Sequence, residues 1–321
     1  MKKLALSLAT VFALAACGAQ DKAPADAKPA TAATATDQPA TPPPPKSAEQ
    51  LFAEHLDAVL AGSWRSDANR ARDVYRHPKE TLAFFGAKPG QTVIEMVPGA
   101  GWYSEILAPL YKGNGHYVAA LIDPASAAKE GTKNYLAKGN EGFRAKIAGD
   151  AERYGEVEVR EFAMGAPQLG PDNSADLVLT FRNVHNFLMW NADQAYFDAM
   201  FKVLKPGGVL GVTDHRAAPG ADLASIKESG YIPEDYVIGL ATKAGFRLEG
   251  RSEVNANPKD TKDYADGVWT LPPTLARKEQ DKDKYLAIGE SDRMTLKFVK
   301  PADGAPAATA AEPSPAEAPK Q

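Results

Sequence analysis

A carboxylate, a proline and two glycines stand close together in Glu95-Met96-Val97-Pro98-Gly99-Ala100-Gly101-Trp102. Between a strand and a helix, glycines of this spacing let backbone approach a ligand closely, and the helix start offers free N–H groups. Glu95 suits a ligand that carries positive charge. Val97 precedes proline, which pushes it toward extended backbone, so its dihedrals do not call for glycine. His185 and His215 each follow a predicted strand, where an imidazole either acts as general base on an N–H or O–H or only hydrogen-bonds its neighbours. Asn183 lies just past the strand Asp176–Phe181, and Asp123 opens an Asp-Pro pair. The remaining histidines, His55, His77 and His116, show no ligand spacing, and one cysteine excludes a Cys-rich zinc site, so no metal is expected. The absence of a G-x-S-x-G elbow argues against a hydrolase.

These residues need strands and helices to bring them together. Ala48–Leu60 has helical apolar spacing at Leu51, Phe52, Leu56, Val59 and Leu60. The charged stretch from Arg65 to Glu80 includes Arg70, Asp73, Tyr75 and Arg76, which either close a pocket, an arginine meeting a ligand carboxylate, or form a solvated face. Thr92–Val97 is predicted to be a buried strand, with a helix from Trp102 to about Leu110 after the glycine loop. Strands follow at His116–Ile122, Val157–Phe162, Asp176–Phe181, Val209–Thr213, Phe246–Val254 and Met294–Val299. Helices are predicted at Ser126–Ala148, Asp193–Leu204 and Pro233–Ala244. This alternation predicts an α/β domain with a mostly parallel sheet and helices on both faces.

Three motifs in order carry a family resemblance. The loop with Glu95, Gly99 and Gly101 is similar to the acid-x-G-x-G-x-G loop of class I S-adenosylmethionine-dependent methyltransferases, with Val97 departing from the pattern. A nicotinamide loop would want a third glycine where Ser104 stands. Asp176-Leu177-Val178-Leu179 followed by Leu204-Lys205-Pro206-Gly207-Gly208-Val209-Leu210, then Ala244-Gly245-Phe246, continue the likeness. Arg76-His77-Pro78-Lys79-Glu80, Trp102-Tyr103-Ser104-Glu105-Ile106, Asp214-His215-Arg216, Asn257-Pro258-Lys259-Asp260 and Ser291-Asp292-Arg293 resemble a bacterial family of exported methyltransferases without a settled substrate. The resemblance implies a Rossmann-like, seven-stranded, mostly parallel sheet, with S-adenosylmethionine as cofactor. It implies that Glu95, Val97, Pro98, Gly99, Gly101, Trp102 and Asn183 line the cofactor site. It makes Asp123 the acid that grips the ribose hydroxyls, against the alternative of a turn-initiating Asp-Pro. An acid near the adenine is missing after the third strand, where Phe162-Ala163-Met164-Gly165 stands.

The 321 residues carry a formal charge of −4 without a basic block beyond Lys2-Lys3, which argues against nucleic acid as a partner. Residues 18–47 hold 9 Ala, 7 Pro and 4 Thr, and residues 301–321 hold 8 Ala and 5 Pro. Neither stretch has a large apolar residue to offset its ordering entropy, so both are expected to be disordered, leaving 48–300 as the folded domain. Lys2-Lys3 precede an apolar run, Leu4–Ala16, too short for the ~20 residues a bilayer takes but suited to a signal peptide. The run ends Leu14-Ala15-Ala16-Cys17, which resembles a lipobox and implies lipidation at Cys17, the only cysteine; the alternative is an ordinary cleaved signal. The expected location is the cell envelope facing the periplasm, with Gly18 after the cysteine resembling outer-membrane sorting. Two functions follow: a methyltransferase for a small-molecule or envelope substrate, or a degenerate methyltransferase fold serving as a lipid-anchored binding or structural module.

Overall fold

The structure is a computed structural model that describes residues 45–302. Cys17, the signal-like segment and most of both Ala/Pro-rich stretches lie outside the described residues. Seven strands form one sheet in the order β3-β2-β1-β4-β5-β7-β6. They are β1 Thr92–Met96, β2 His116–Ile122, β3 Glu158–Phe162, β4 Ala175–Phe181, β5 Leu204–His215, β6 Arg247–Ser252 and β7 Arg293–Val299. The first five run parallel, and β7 is antiparallel to both β5 and β6. This is the Rossmann-like α/β architecture that the motif order implies.

The central strand shows why these residues form a sheet. Val93, Ile94, Glu95 and Met96 are all buried, as expected of a parallel strand covered on both faces. Side chains alternate across the strand, so Ile94 and Met96 join the core under the helices Val184–Met189, Asp193–Val203 and Glu234–Ala244. Val93 joins the opposite core with Phe52, Leu56, Leu82, Phe85, Ile106 and Phe143, from the helices Ala48–Leu60, Pro78–Phe85, Ser104–Tyr111 and Glu130–Ala148. The first helix starts on a capping box, Ser47 Oγ accepting from Gln50 N while Gln50 accepts from Ser47 N.

Of the departures from the sequence reading, three bear on the fold. The predicted helix over 126–148 begins as a 3₁₀ turn, Pro124–Ser126, and becomes α-helical only from Glu130. The Lys205-Pro206-Gly207-Gly208 stretch is absorbed into β5, which starts at Leu204 by pairing with Ala175 across an irregularity before Leu177. The helix Pro78–Phe85 sits inside what reads as a charged stretch, and its Leu82 and Phe85 are fully buried.

The long segment between β6 and β7 crosses the carboxyl ends of the strands. Asp260 anchors it, accepting from Tyr231 Oη at 2.8 and 3.0 Å and from Asp292 N at 2.7 Å. Arg216, just past β5, reaches both Asp292 oxygens at 3.0 Å and both Glu253 oxygens at 2.8 and 2.6 Å.

Candidate functional site

The carboxyl ends of β1, β4 and β5 meet at a cavity of about 280 Å³, near the lower end of the ~300–1,000 Å³ typical of ligand pockets. Its walls come from the loop after β1 (Val97 to Ala100, and Trp102), from Arg182, Asn183, His185 and Asn186 after β4, and from His215 at the end of β5. Leu136 closes one side, and Trp269 with Pro272 and Pro273 covers the top. Strand ends of an open α/β sheet are where ligands bind.

The loop is left-handed at three positions: Val97 (φ 45°), Gly99 (φ 58°) and Gly101 (φ 74°). Proline does not push Val97 to extended backbone as the sequence suggests. A β-branched residue at positive φ is strained, by about 1–3 kcal/mol. Two bonds hold it: Val97 N donates to Ala120 O at 2.9 Å, and Asn183 Nδ2 donates to Met96 O at 2.8 Å. Val97 thus keeps the backbone path that a glycine would give. The two glycines differ in role. A Cβ on Gly99 would meet nothing within 4 Å and would project into open space beside the cavity. A Cβ on Gly101 would lie 3.2 Å from the Phe143 ring, so Gly101 serves the packing of the helix Glu130–Ala148 rather than the cavity wall.

Glu95 and Asp123 stand outside the cavity lining. Glu95 is buried with Ser104 Oγ and Tyr117 Oη donating to its Oε2 at 2.8 and 2.5 Å. Burial outweighs these two bonds and pushes its carboxyl up to about 7. The side chain braces β1 against β2 and the helix Ser104–Tyr111. Asp123 Oδ1 accepts from Ala125 N at 2.9 Å, the turn-starting role that its Asp-Pro sequence suggests. Trp102 is buried, with its indole N–H donating to Asn69 O at 3.1 Å and the Arg76 guanidinium 4.5 Å above its ring.

His185 and His215 come together because β4 and β5 are neighbours, with ring centroids 5.2 Å apart. Asp214, fully buried between them, appears in the sequence reading but is given no role there. Its Oδ1 accepts from His185 Nδ1 at 2.9 Å and from His215 N at 2.8 Å. Its Oδ2 accepts from Val184 N at 2.7 Å and more weakly from His185 N at 3.4 Å. In the neutral ring, Nδ1–H donated to Asp214 leaves the other nitrogen of His185 with the lone pair. His215 Nδ1 shares a 2.5 Å hydrogen bond with Ser291 Oγ. Burial, then the neighbouring His185 and three arginines, hold the His215 imidazole well below its ordinary range. Ligand atoms of His185, Asp214 and His215 lie within 4.8 Å of one another, a spacing that could hold a metal ion. Asp214 already accepts four N–H bonds, so a cation would find only the histidine nitrogens, and the trio reads better as an oriented base than as a metal centre.

Glu290 gathers three arginines that the sequence reading did not bring together. Glu290 accepts from Arg72 Nε at 2.5 Å, from Arg76 Nε at 3.1 Å and from Arg293 Nη2. Burial would raise its carboxyl, but Arg293, Arg76 and Arg72 outweigh that and hold it at about 2. Of the residues named from the charged stretch, Arg70 pairs with Asp67, Asp73 with Arg65, and Arg76 with Glu290. It is Arg72, not these, that lines the cavity. The pairing of Arg72 with Glu290 spans 218 residues and left no local signal.

No protein-family profile matches the chain, and no curated protein matches it. Among solved structures it is similar to a SAM-dependent methyltransferase from Aquifex aeolicus (17% identity, 76% of this chain and 98% of that one, TM-score 0.46). It is also similar to the [4+2]-cyclase SpnF (16%, 79% and 95%, TM-score 0.46). A third is the N-methyltransferase NodS from Bradyrhizobium japonicum, in complex with S-adenosyl-L-homocysteine (15%, 78% and 98%, TM-score 0.44). At such identities and scores, activity has to be argued from this chain's own residues.

Proposed function

We propose that the chain is an S-adenosylmethionine-dependent methyltransferase acting on a small-molecule or envelope substrate. The observation that carries this is the left-handed loop Val97–Gly101, open at Gly99, facing an oriented histidine across one cavity. The loop backbone with Trp102 and Asn183 would hold the methionine and ribose part of the cofactor. Bound there, the cofactor supplies an electrophilic methyl group.

The chain's own part is positioning and proton handling. Asp214 fixes the His185 ring with Nδ1–H donated, leaving the second nitrogen as acceptor for a proton from an N–H or O–H of the substrate. The Asp214 carboxylate then stabilises the imidazolium that forms. His215 stays neutral and offers a second acceptor in the same wall. Trp269, with the prolines that follow it, limits entry of water. The envelope location belongs to the same proposal and rests on Leu14-Ala15-Ala16-Cys17.

One observation favours the degenerate binding module instead: among the described residues, no Asp or Glu lines the cavity, since Glu95 and Asp123 are turned elsewhere. Gly99→Val tests the loop as the cofactor cradle on which the methyltransferase reading rests. A branched side chain at Gly99 would enter the open side of the loop, and S-adenosylhomocysteine binding by calorimetry should fall at least tenfold, about 1.4 kcal/mol, with circular dichroism unchanged. Equal affinity in wild type and variant would remove the loop from the site.

A further inference from the structure

Arg182 is the first residue past β4 and holds left-handed backbone (φ 60°), with its N–H donating to Thr213 O at 2.7 Å. Its guanidinium makes no side-chain hydrogen bond among the described residues. It lines the large cavity beside His185, and it also lines a void of about 10 Å³, room for about one water, that lies against Arg76 and Arg293. Arg72 faces the same large cavity.

The charge around Arg182 is not balanced. Three guanidiniums, those of Arg72, Arg76 and Arg293, share the single carboxylate of Glu290, Arg182 adds a fourth at the small void beside Arg76 and Arg293, and Asp214, already engaged by His185, offsets at most one of them. Buried donors are left over: Arg72 Nη2, Arg76 Nη2 and Arg293 Nε lack a hydrogen-bond partner. Buried N–H groups of charged side chains are rarely left unpaired, and guanidinium forks match carboxylates and phosphates. The electrostatics agree: burial and then Arg293 bring Arg182 down to about 10. S-adenosylmethionine does not relieve the excess. Its sulfonium and ammonium against one carboxylate make it a net cation, so the missing negative charge falls to the other ligand.

We propose that Arg182, backed by Arg72, is a subsite for a carboxylate or phosphate group carried by the methyl acceptor, which it holds beside His185. This rests on the methyltransferase reading for the word acceptor, while the oxyanion subsite stands on the arginines alone.

The test uses the full-length chain and four small probes: benzoate and phenyl phosphate, with benzamide and phenol as their neutral counterparts. Each is titrated with and without saturating S-adenosylhomocysteine. At least one anion should bind tenfold or more tighter than its neutral counterpart, and which one does so tells carboxylate from phosphate. Arg182→Gln and, independently, Arg72→Gln should each weaken that anion tenfold or more. S-adenosylhomocysteine affinity should stay within threefold. Arg182→Lys, which keeps the charge but not the fork, should recover part of the loss. Arg72→Gln carries the test if Arg182→Gln lowers the melting temperature sharply. The inference is overturned if anions bind no better than neutral probes or if both variants leave them unchanged. It is also overturned if the variants instead weaken S-adenosylhomocysteine tenfold, which would assign the arginines to the cofactor's own carboxylate. Anion binding that is lost in the variants, in a chain that binds no S-adenosylhomocysteine, would support the subsite and sink the methyltransferase reading.

Discussion

Glu95 shows how far a residue's type can mislead about its task. A carboxylate two residues before Val97-Pro98-Gly99 suggests a partner for a cationic ligand, yet Ser104 and Tyr117 occupy it inside the core. Its carboxyl sits at about 7 in the fold against 4.5 ordinarily. The folded state therefore binds this proton more tightly than the unfolded state. The resulting stabilisation is complete below about pH 4.5 and is lost as pH rises through 7, in total roughly 3 kcal/mol. His215, held neutral, acts with the opposite sign: its contribution is present above the ordinary histidine range and is lost as pH falls below it. A difference measurement isolates Glu95. Denaturant unfolding of wild type and Glu95→Gln should show wild type losing relative stability between about pH 5 and pH 8. A difference that is flat with pH would mean that Glu95 is ionised throughout. His185 and His215 were legible as strand-end histidines. Their convergence on Asp214 was not, because it depends on β4 and β5 being neighbours in the sheet. Val97 was read from its pre-proline position, a local preference that the bonds to Ala120 and Asn183 override.

At the scale of elements, the cover over the cavity hangs on few bonds. Asp260 takes both Tyr231 Oη and Asp292 N, and Asp292 in turn holds Arg216. Asp260→Ala leaves a buried hydroxyl and a buried amide without their acceptor, each worth about 1–3 kcal/mol. The melting temperature should fall by at least roughly 4 °C and up to about 24 °C, given ~2–4 °C per kcal/mol for a domain of this size. Hydrogen exchange should rise first in residues 260–274. Exchange unchanged there would show that the segment is held by packing alone. The elements with strong periodicity were legible: Ala48–Leu60 and His116–Ile122 match residue for residue. What hid the others was competing chemistry. His77-Pro78 and the charges around it disguise the helix Pro78–Phe85, and Pro206-Gly207-Gly208 disguises the start of β5.

For the whole molecule, the described part holds its strands, both cores and the cavity within residues 45–302, where no helix is long and apolar enough to cross a membrane. The proposed membrane attachment falls to Cys17. Cys17→Ser should move the protein from the membrane fraction to the soluble envelope fraction, and a wild type that is already soluble would refute the anchor. The central claim, that the loop after β1 and the ends of β4 and β5 form a cofactor site, has a built-in reporter. Of four tryptophans, Trp102, Trp190 and Trp269 line the cavity and Trp64 does not. Titrating S-adenosylhomocysteine into the Trp64→Phe variant, while following tryptophan emission, reads the cavity alone. The account predicts a saturable change, repeated by S-adenosylmethionine and lost in Gly99→Val. A folded protein whose emission does not move up to about 1 mM of either compound, a free energy weaker than about −4 kcal/mol, would contradict it.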